Sequence, residues 1–207
     1  METERAAAIV LRTQPVTESS LLATFFTREF GKLKTLAKGA RRPKSPMRGK
    51  IDLFYETEIV FLRSRRSDLH LLHDCFLENP HPALRANVPA LTAASYACEL
   101  VDALTVVEDA NPMLYDLLAV TLAALEKRVD ATQLIWFELQ VLEATGWKPV
   151  FDEPTGTAKL LRSLAGATAA GARRVRLTAE QIRSAQETLD QFRQLHLGRP
   201  LRTRLKL

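Results

Sequence analysis

The hydrophobic period of this chain changes once, near residue 80, and that change divides the fold into two kinds of structure. Before it, apolar residues come in short runs or alternate with polar ones, which is the period of strands. Residues 7–11 form an apolar run, and residues 21–27 (LLATFFT) are rich in Phe and Thr. The next residues, Arg28, Glu29, Phe30 and Gly31, read as a turn that places Gly where positive φ is needed. Residues 32–38 (KLKTLAK) put Lys32, Lys34, Leu36 and Lys38 on one strand face and Leu33, Thr35 and Ala37 on the other. Residues 55–63 predict a further strand, paired through a polar turn at 64–67 with residues 68–76. Five short strands in fewer than 80 residues predict a small antiparallel barrel or sandwich. Ser45 is placed to cap a short helix between the third and fourth strands.

Beyond residue 80 the pattern is helical. Leu91, Ala94, Ala97, Cys98, Val101 and Leu104 form one stripe. Leu114, Leu117, Leu118, Thr121, Leu122 and Leu125 form a second, with Pro112 near its start. Residues 133–145 are apolar on nearly all sides, which predicts a central helix stopped by Gly146 and Pro149. Thr178 to Gln181 spell a capping box, and Ile182, Ala185, Leu189 and Phe192 line the helix that it opens. Residues 152–177 predict a short loop or hairpin. The expected class is therefore α+β, with a β-domain at 1–79 and a helical domain at 80–207 that carries an irregular insertion near 152–177 and a basic tail.

Charge is distributed by segment. Residues 1–79 are net +4, residues 80–150 net −5 and residues 151–207 net +6. Basic ends attract polyanions. The acidic middle, with Glu99, Asp102, Glu108 and Asp109, is a poor surface for them and is either inert or meets a basic partner. Charged residues are 26% of the chain and hydrophobic residues 46%, which excludes wholesale disorder. Two cysteines make neither a disulfide framework nor a four-cysteine metal site. Glu2 and Glu4 stand where a secretory signal would be basic, and no apolar run reaches membrane length, so a cytoplasmic, nucleoid-associated location is expected.

No G-x-S-x-G, H-E-x-x-H or G-x-G-x-x-G occurs. Gly166 and Gly171 have P-loop spacing, but Ala172 and Arg173 follow where Lys and Ser or Thr belong. His70, His73, Cys75 and His81 resemble a ligand set, yet on a strand His70 and His73 fall on opposite faces. Glu56 and Glu58 share a face without a nucleophile or base beside them. The strongest constellation is cationic: Lys32, Lys34, Lys38, Arg41, Arg42, Lys44, Arg48 and Lys50 fall within nineteen residues. Gly39 lets the backbone approach a phosphate, and Arg63, Arg65 and Arg66 form a second cluster at a hairpin tip. Phe25, Phe26, Phe54, Tyr55 and Phe61 lie in the same region, and alternation sends about half of them to the core.

The stretch 27–32 (TREFGK), followed by LAKGARR at 36–42 and Lys44-Ser45, resembles the N-terminal domain of the RecO family of DNA-repair proteins. So do residues 9–11 and 18–20. YACEL at 96–100, FELQVL at 137–142, and the basic tail from Leu197 resemble the same family's helical part. The resemblance covers nearly the whole chain. It implies an N-terminal OB-fold, a helical C-terminal domain and a non-enzymatic recombination mediator. Such proteins bind single- and double-stranded DNA, anneal strands, engage the acidic, Phe-ended tail of the single-strand binding protein SSB, and act with RecR in loading RecA. On this reading Lys32, Lys34, Lys38, Arg41, Arg42, Lys44, Arg48, Lys50, Arg65 and Arg66 contact DNA. Arg173, Arg174, Arg176, Arg199, Arg202 and Arg204 extend that track or receive the SSB tail. Many family members carry a four-cysteine zinc element after the segment that matches Gly146 to Pro149. Residues 150–174 hold no cysteine, so no zinc or other cofactor is expected. The residues alone also suit an RNA-binding OB module or a protein–protein adaptor; a hydrolase fits them least.

Overall fold

Strand alternation in the first 79 residues closes on itself. In the computed structural model, which describes residues 3–151, 155–197 and 200–203, five strands form a closed barrel. They are β1 (Thr3–Pro15), β2 (Leu21–Thr27), β3 (Gly31–Ala37), β4 (Glu56–Leu62) and β5 (Leu69–Asn79). The spatial order is β1-β2-β3-β5-β4, with β4 returning to β1; only β3 and β5 run parallel. This is the OB-type barrel that the sequence resemblance implies. Barrel, rather than sandwich, follows from β1: at thirteen residues it pairs with β2 on one side and β4 on the other. A register shift between Val10 and Arg12 marks a bulge that lets so long a strand bend.

The barrel interior is filled by Ala8, Val10, Phe25, Leu33, Ile59, Phe61 and Leu72, among others. The alternate residues Ile9, Leu11 and Phe26 point out of the barrel, yet they are also buried, because they join the core of the helical domain. Residues 7–11 are therefore apolar on both faces for a tertiary reason.

Helices follow a single 3-10 turn at Pro82–Arg85. They are α1 (Val88–Leu104), α2 (Pro112–Leu125), α3 (Ala131–Ala144), α4 (Gly156–Ala165), the one-turn α5 (Ala169–Ala172) and α6 (Ala179–Leu197). Side-chain caps start them: Asn87, Asn111, Asp130, Thr155 and Thr168 each accept a backbone N–H of the first turn. The capping box before α6 closes in both directions, with Thr178 N donating to Gln181 Oε1 and Gln181 N donating to Thr178 Oγ1. As expected, α3 is the buried centre.

Residues 152–177 depart from the expected loop or hairpin. Thr155 and Thr168 cap α4 and α5, and Leu161, Leu164 and Ala172 pack into the helical core. Apolar spacing on α4 outweighs the small residues around it. Ser45 caps no helix; its Oγ accepts Met47 N within a series of turns.

His81, in the left-handed region at φ 45°, joins the two domains. Its Nε2 lies 2.7 Å from Glu56 Oε1 on β4 and its Nδ1 2.9 Å from Glu126 Oε2 beyond α2. Burial disfavours charge on this ring, but the two glutamates outweigh it and raise its pKa. A raised native pKa stabilises the fold fully below the unfolded value of about 6.5, and this contribution is lost as pH rises through the native pKa. Replacing His81 with Asn, which tolerates the same backbone conformation, is expected to cost about 3 kcal/mol at pH 6. In urea unfolding, the difference between the two proteins should shrink steadily towards pH 9.

Candidate nucleic-acid interface

The barrel's cations fall into two groups: those bound to carboxylates and those left to solvent. Lys32 belongs to the first. Its side chain crosses from β3 to α1, where Nζ donates to the Asp102 carbonyl at 2.5 Å and lies 3.4 Å from Asp102 Oδ1. Burial pushes its ammonium below the usual range, against the pull of Asp102. Arg28, at the end of β2, forms two parallel bonds with Asp116 of α2, at 3.0 and 3.1 Å. Arg63 reaches Glu4 and Glu108, and Arg12 lies 4.0 Å from Asp102. Lys34 pairs with Asp68 at 2.8 Å, and this contact holds the Asp68 carboxyl below its ordinary range.

The acidic middle of the chain therefore faces its own barrel. Asp102, Glu108, Asp116 and Glu126 all meet groups of the β-domain or the turn that follows it. Glu99 instead accepts the backbone N–H groups of Arg202 and Thr203. Asp109 acts through its backbone. A Cβ on Gly31, at φ +67°, would lie 1.9 Å from the Asp109 carbonyl oxygen, so the β2–β3 turn abuts the α1–α2 loop as only glycine allows.

The second group comprises Lys38, Arg41, Arg42, Lys44, Arg48, Lys50, Arg65 and Arg66. Among the described residues none of these forms an ion pair, and all but the half-buried Lys50 are exposed. The loop that carries most of them is pinned from below. Ala40, Met47 and Ile51 insert into the barrel core, so the cations between them project outward. Arg41 N donates to the Ser19 carbonyl, which fastens this loop to the β1–β2 loop. Gly39 adopts φ +69°, and the Arg42 side chain passes over it. Lys38 shares a cleft of about 540 Å³ with Arg65 and Arg66, so the fold brings together two clusters that are far apart in sequence.

Sequence periodicity missed this division. It placed Lys32, Lys34, Leu36 and Lys38 on one face, which is correct, but the helical domain covers the Lys32 end of that face. Phe25, Phe26, Phe54 and Phe61 are all buried, leaving only Tyr55 half-buried among the five aromatics. His70 lies inside the barrel and His73 outside it. Among the described residues no group of three or more His, Cys, Asp or Glu is placed to hold a metal. Cys75 is in the barrel core, where burial pushes its thiol up to about 11; Cys98 is buried in α1. No described helix is long and apolar enough to cross a membrane.

A separate groove of about 310 Å³ runs between α2 and α3. Its walls include Leu117, Val120 and Trp136, and Arg128 and Arg173 also line it. Gln133 lines it too, and its buried Nε2 has no hydrogen-bond partner among the described residues. Arg174 and Arg176 are exposed nearby in sequence, and Arg202 lines an interdomain cavity with Arg12 and Asp102. Arg199 and Arg204 lie outside the described residues.

Residues 1–80 match the family model described as Recombination protein O N terminal, and residues 85–156 match that described as Recombination protein O C terminal. A DNA repair protein RecO of Desulforudis audaxviator is 31% identical over 192 residues, covering 89% of this chain and 76% of the relative. The chain belongs to the RecO family. A DNA repair protein RecO of Syntrophus aciditrophicus is 32% identical over 151 residues, covering 72% of this chain and 58% of that relative. For the one of Laribacter hongkongensis the figures are 36% over 147 residues, 70% and 59%. Against these two relatives the chain thus spans under two thirds of their length. Helix α6 of this RecO-family chain lies beyond the matched C-terminal region, but it is fastened to it. Arg193 of α6 bonds Glu138 of α3 and the hydroxyl of Tyr96 of α1, and Tyr96 donates to Glu138.

Lys32 thus serves the junction between domains. Replacing it with Ala is expected to lower unfolding free energy by about 1–3 kcal/mol, since Asp102 keeps only the more distant Arg12 and its carbonyl loses a donor. Equilibrium denaturation checks this, and affinity for a polyanion at matched folded concentration should change little.

Proposed function

We propose that this protein is a DNA-binding recombination mediator of DNA repair, one that acts without catalysis. It binds single- and double-stranded DNA, anneals complementary strands, and works with RecR and SSB in loading RecA. The observation that carries this reading is the set of eight cations without ion pairs among the described residues, on the loop and hairpin of an OB-type barrel, in a chain of the RecO family. OB barrels hold nucleic acid with their loops and sheet face, and phosphates require cations that are not already neutralised. Lys38, Arg41, Arg42, Lys44, Arg48, Lys50, Arg65 and Arg66 make the phosphate contacts. Lys34 contributes when its bond to Asp68 opens, and Lys32 is left out of the set. Such contacts position a strand without reading its sequence, and charge neutralisation lets two complementary backbones approach.

Anisotropy of a labelled single strand, titrated at several salt concentrations, tests this reading. With about five phosphates contacted, log affinity should fall against log salt with a slope of roughly −3.5. Changing Lys38, Arg41, Arg42 and Lys44 to Ala should flatten that slope. Absence of binding at low salt, or identical curves for both proteins, would sink the DNA surface and favour an adaptor.

The α2–α3 groove suits the SSB tail by its chemistry: apolar walls for a terminal Phe, Arg173 for its acidic residues, and Arg128 once its 3.9 Å contact with Asp130 opens; the groove's other carboxylate, Asp116, is held by Arg28. Arg173→Ala and Arg128→Ala should each weaken binding of an acidic, Phe-ended peptide roughly tenfold. Calorimetry beside a peptide that lacks the Phe checks the assignment, since a groove-bound ring makes the truncated peptide the weaker ligand.

A further inference from the structure

The cleft shared by Lys38, Arg65 and Arg66 has an apolar floor. Leu36 of β3 pairs in register with Leu71 of β5, and Leu71 pairs with Leu62 of β4. All three side chains lie on the outer surface of the barrel, because their neighbours Thr35, His70 and Phe61 fill the inside. They make a continuous leucine row across three adjacent strands. Leu69, 38% exposed, extends the row next to Lys34. None of the described residues of the helical domain lines this cleft. At its edge lie two anions: Asp68, which Lys34 neutralises, and Glu108, whose carboxylate meets Arg63 and His70.

We propose that this row receives the unpaired bases of a single strand while the surrounding cations hold its phosphates, so the barrel prefers single-stranded to duplex DNA. The inference rests on the DNA-binding reading above and adds a discriminating element to it. In a duplex the apolar faces of the bases are stacked on one another, and the outside presents phosphates and groove edges. A flat apolar row beside cations gains nothing from such a surface beyond charge. A single strand can turn its bases onto the leucines and bury apolar area on both sides. His70 is the ring among the described residues that line the cleft, and it is buried, so the leucines carry a contact that tolerates any base. An acidic peptide would also find apolar floor and positive rim here. The cations, however, continue along the chain from Lys38 through Arg41, Arg42 and Lys44 to Lys50, and repeated charge fits a phosphate chain better than a short peptide.

The test uses the full chain and three labelled probes of equal length, about 20 nucleotides: oligo-dT, the same backbone without bases, and a duplex. Oligo-dT should bind roughly tenfold more tightly than the abasic strand. Leu36→Gln combined with Leu71→Gln should remove that preference while leaving abasic affinity and the salt slope unchanged. Leu69→Gln, at an exposed position, should reduce it and serves if the double variant does not fold, as judged by its melting curve. Equal wild-type affinity for oligo-dT and the abasic strand, with salt-dependent binding intact, overturns the inference and leaves the DNA reading standing. A preference that survives both leucine variants places the bases elsewhere and also overturns it. Failure to bind any probe at low salt overturns the DNA reading, and the inference with it.

Discussion

The fit of the helical domain against the outside of β1, β2 and the start of β3 sets everything else in this molecule. Ile9, Leu11 and Phe26 leave the barrel to enter the helical core, and around that apolar contact the charges are matched in sign. Lys32 meets Asp102, Arg28 meets Asp116, and His81 sits between Glu56 and Glu126. Apolar burial supplies the driving force, while the buried Lys32 and His81 contacts fix orientation, because each leaves an uncompensated charge if the domains slide; the exposed Arg28–Asp116 pair adds little. Gly31 adds a steric condition: the β2–β3 turn touches the α1–α2 loop so closely that a side chain has no room.

That junction also decides which part of the barrel remains open. An OB-type barrel commonly presents its β2–β3 face to a ligand, but here the end of that face at Lys32 is covered. What stays open is the far end of β3, the pinned loop at 38–50 and the β4–β5 hairpin. The acid–base sorting follows from the same geometry. Residues 80–150 carry carboxylates with few cations of their own, and these neutralise the cations beside the helical domain. The cations beyond their reach keep a full field, and a phosphate chain responds to that field. Basic composition alone says little; the location of the unneutralised charge is what matters.

The loop at 38–50 shows how a flexible-looking segment becomes a platform. Its turns contain Gly39, Pro43 and Gly49, and most of its side chains are polar or charged. Ala40, Met47 and Ile51 seal one end of the barrel, so the backbone is anchored at intervals while the arginines and lysines remain outside. Anchoring lowers the entropy cost of binding, since only the side chains remain to be ordered.

Much of this was legible in the sequence. The change of period near residue 80 separated strands from helices, the turn at Gly31 and the capping box at Thr178 stood where expected, and the cation-rich segment was plain. All of these are local: period, caps and turns depend on residues within a few positions of one another. Four things were decided by tertiary structure. Lys32 is buried while Lys38 is not, although both lie on one strand face, because only the first is overlaid by α1. The acidic middle serves the chain's own barrel because folding brings Asp102, Glu108 and Asp116 to cations more than forty residues away. Residues 156–165 form a helix because Leu161 and Leu164 find a core supplied by α3 and α6. Leu36, Leu62 and Leu71 form a row only through strand register, since no single strand carries more than one of them. A sequence fixes which face a residue occupies within its own element; which faces meet, and which are left to a ligand, is a property of the packed whole.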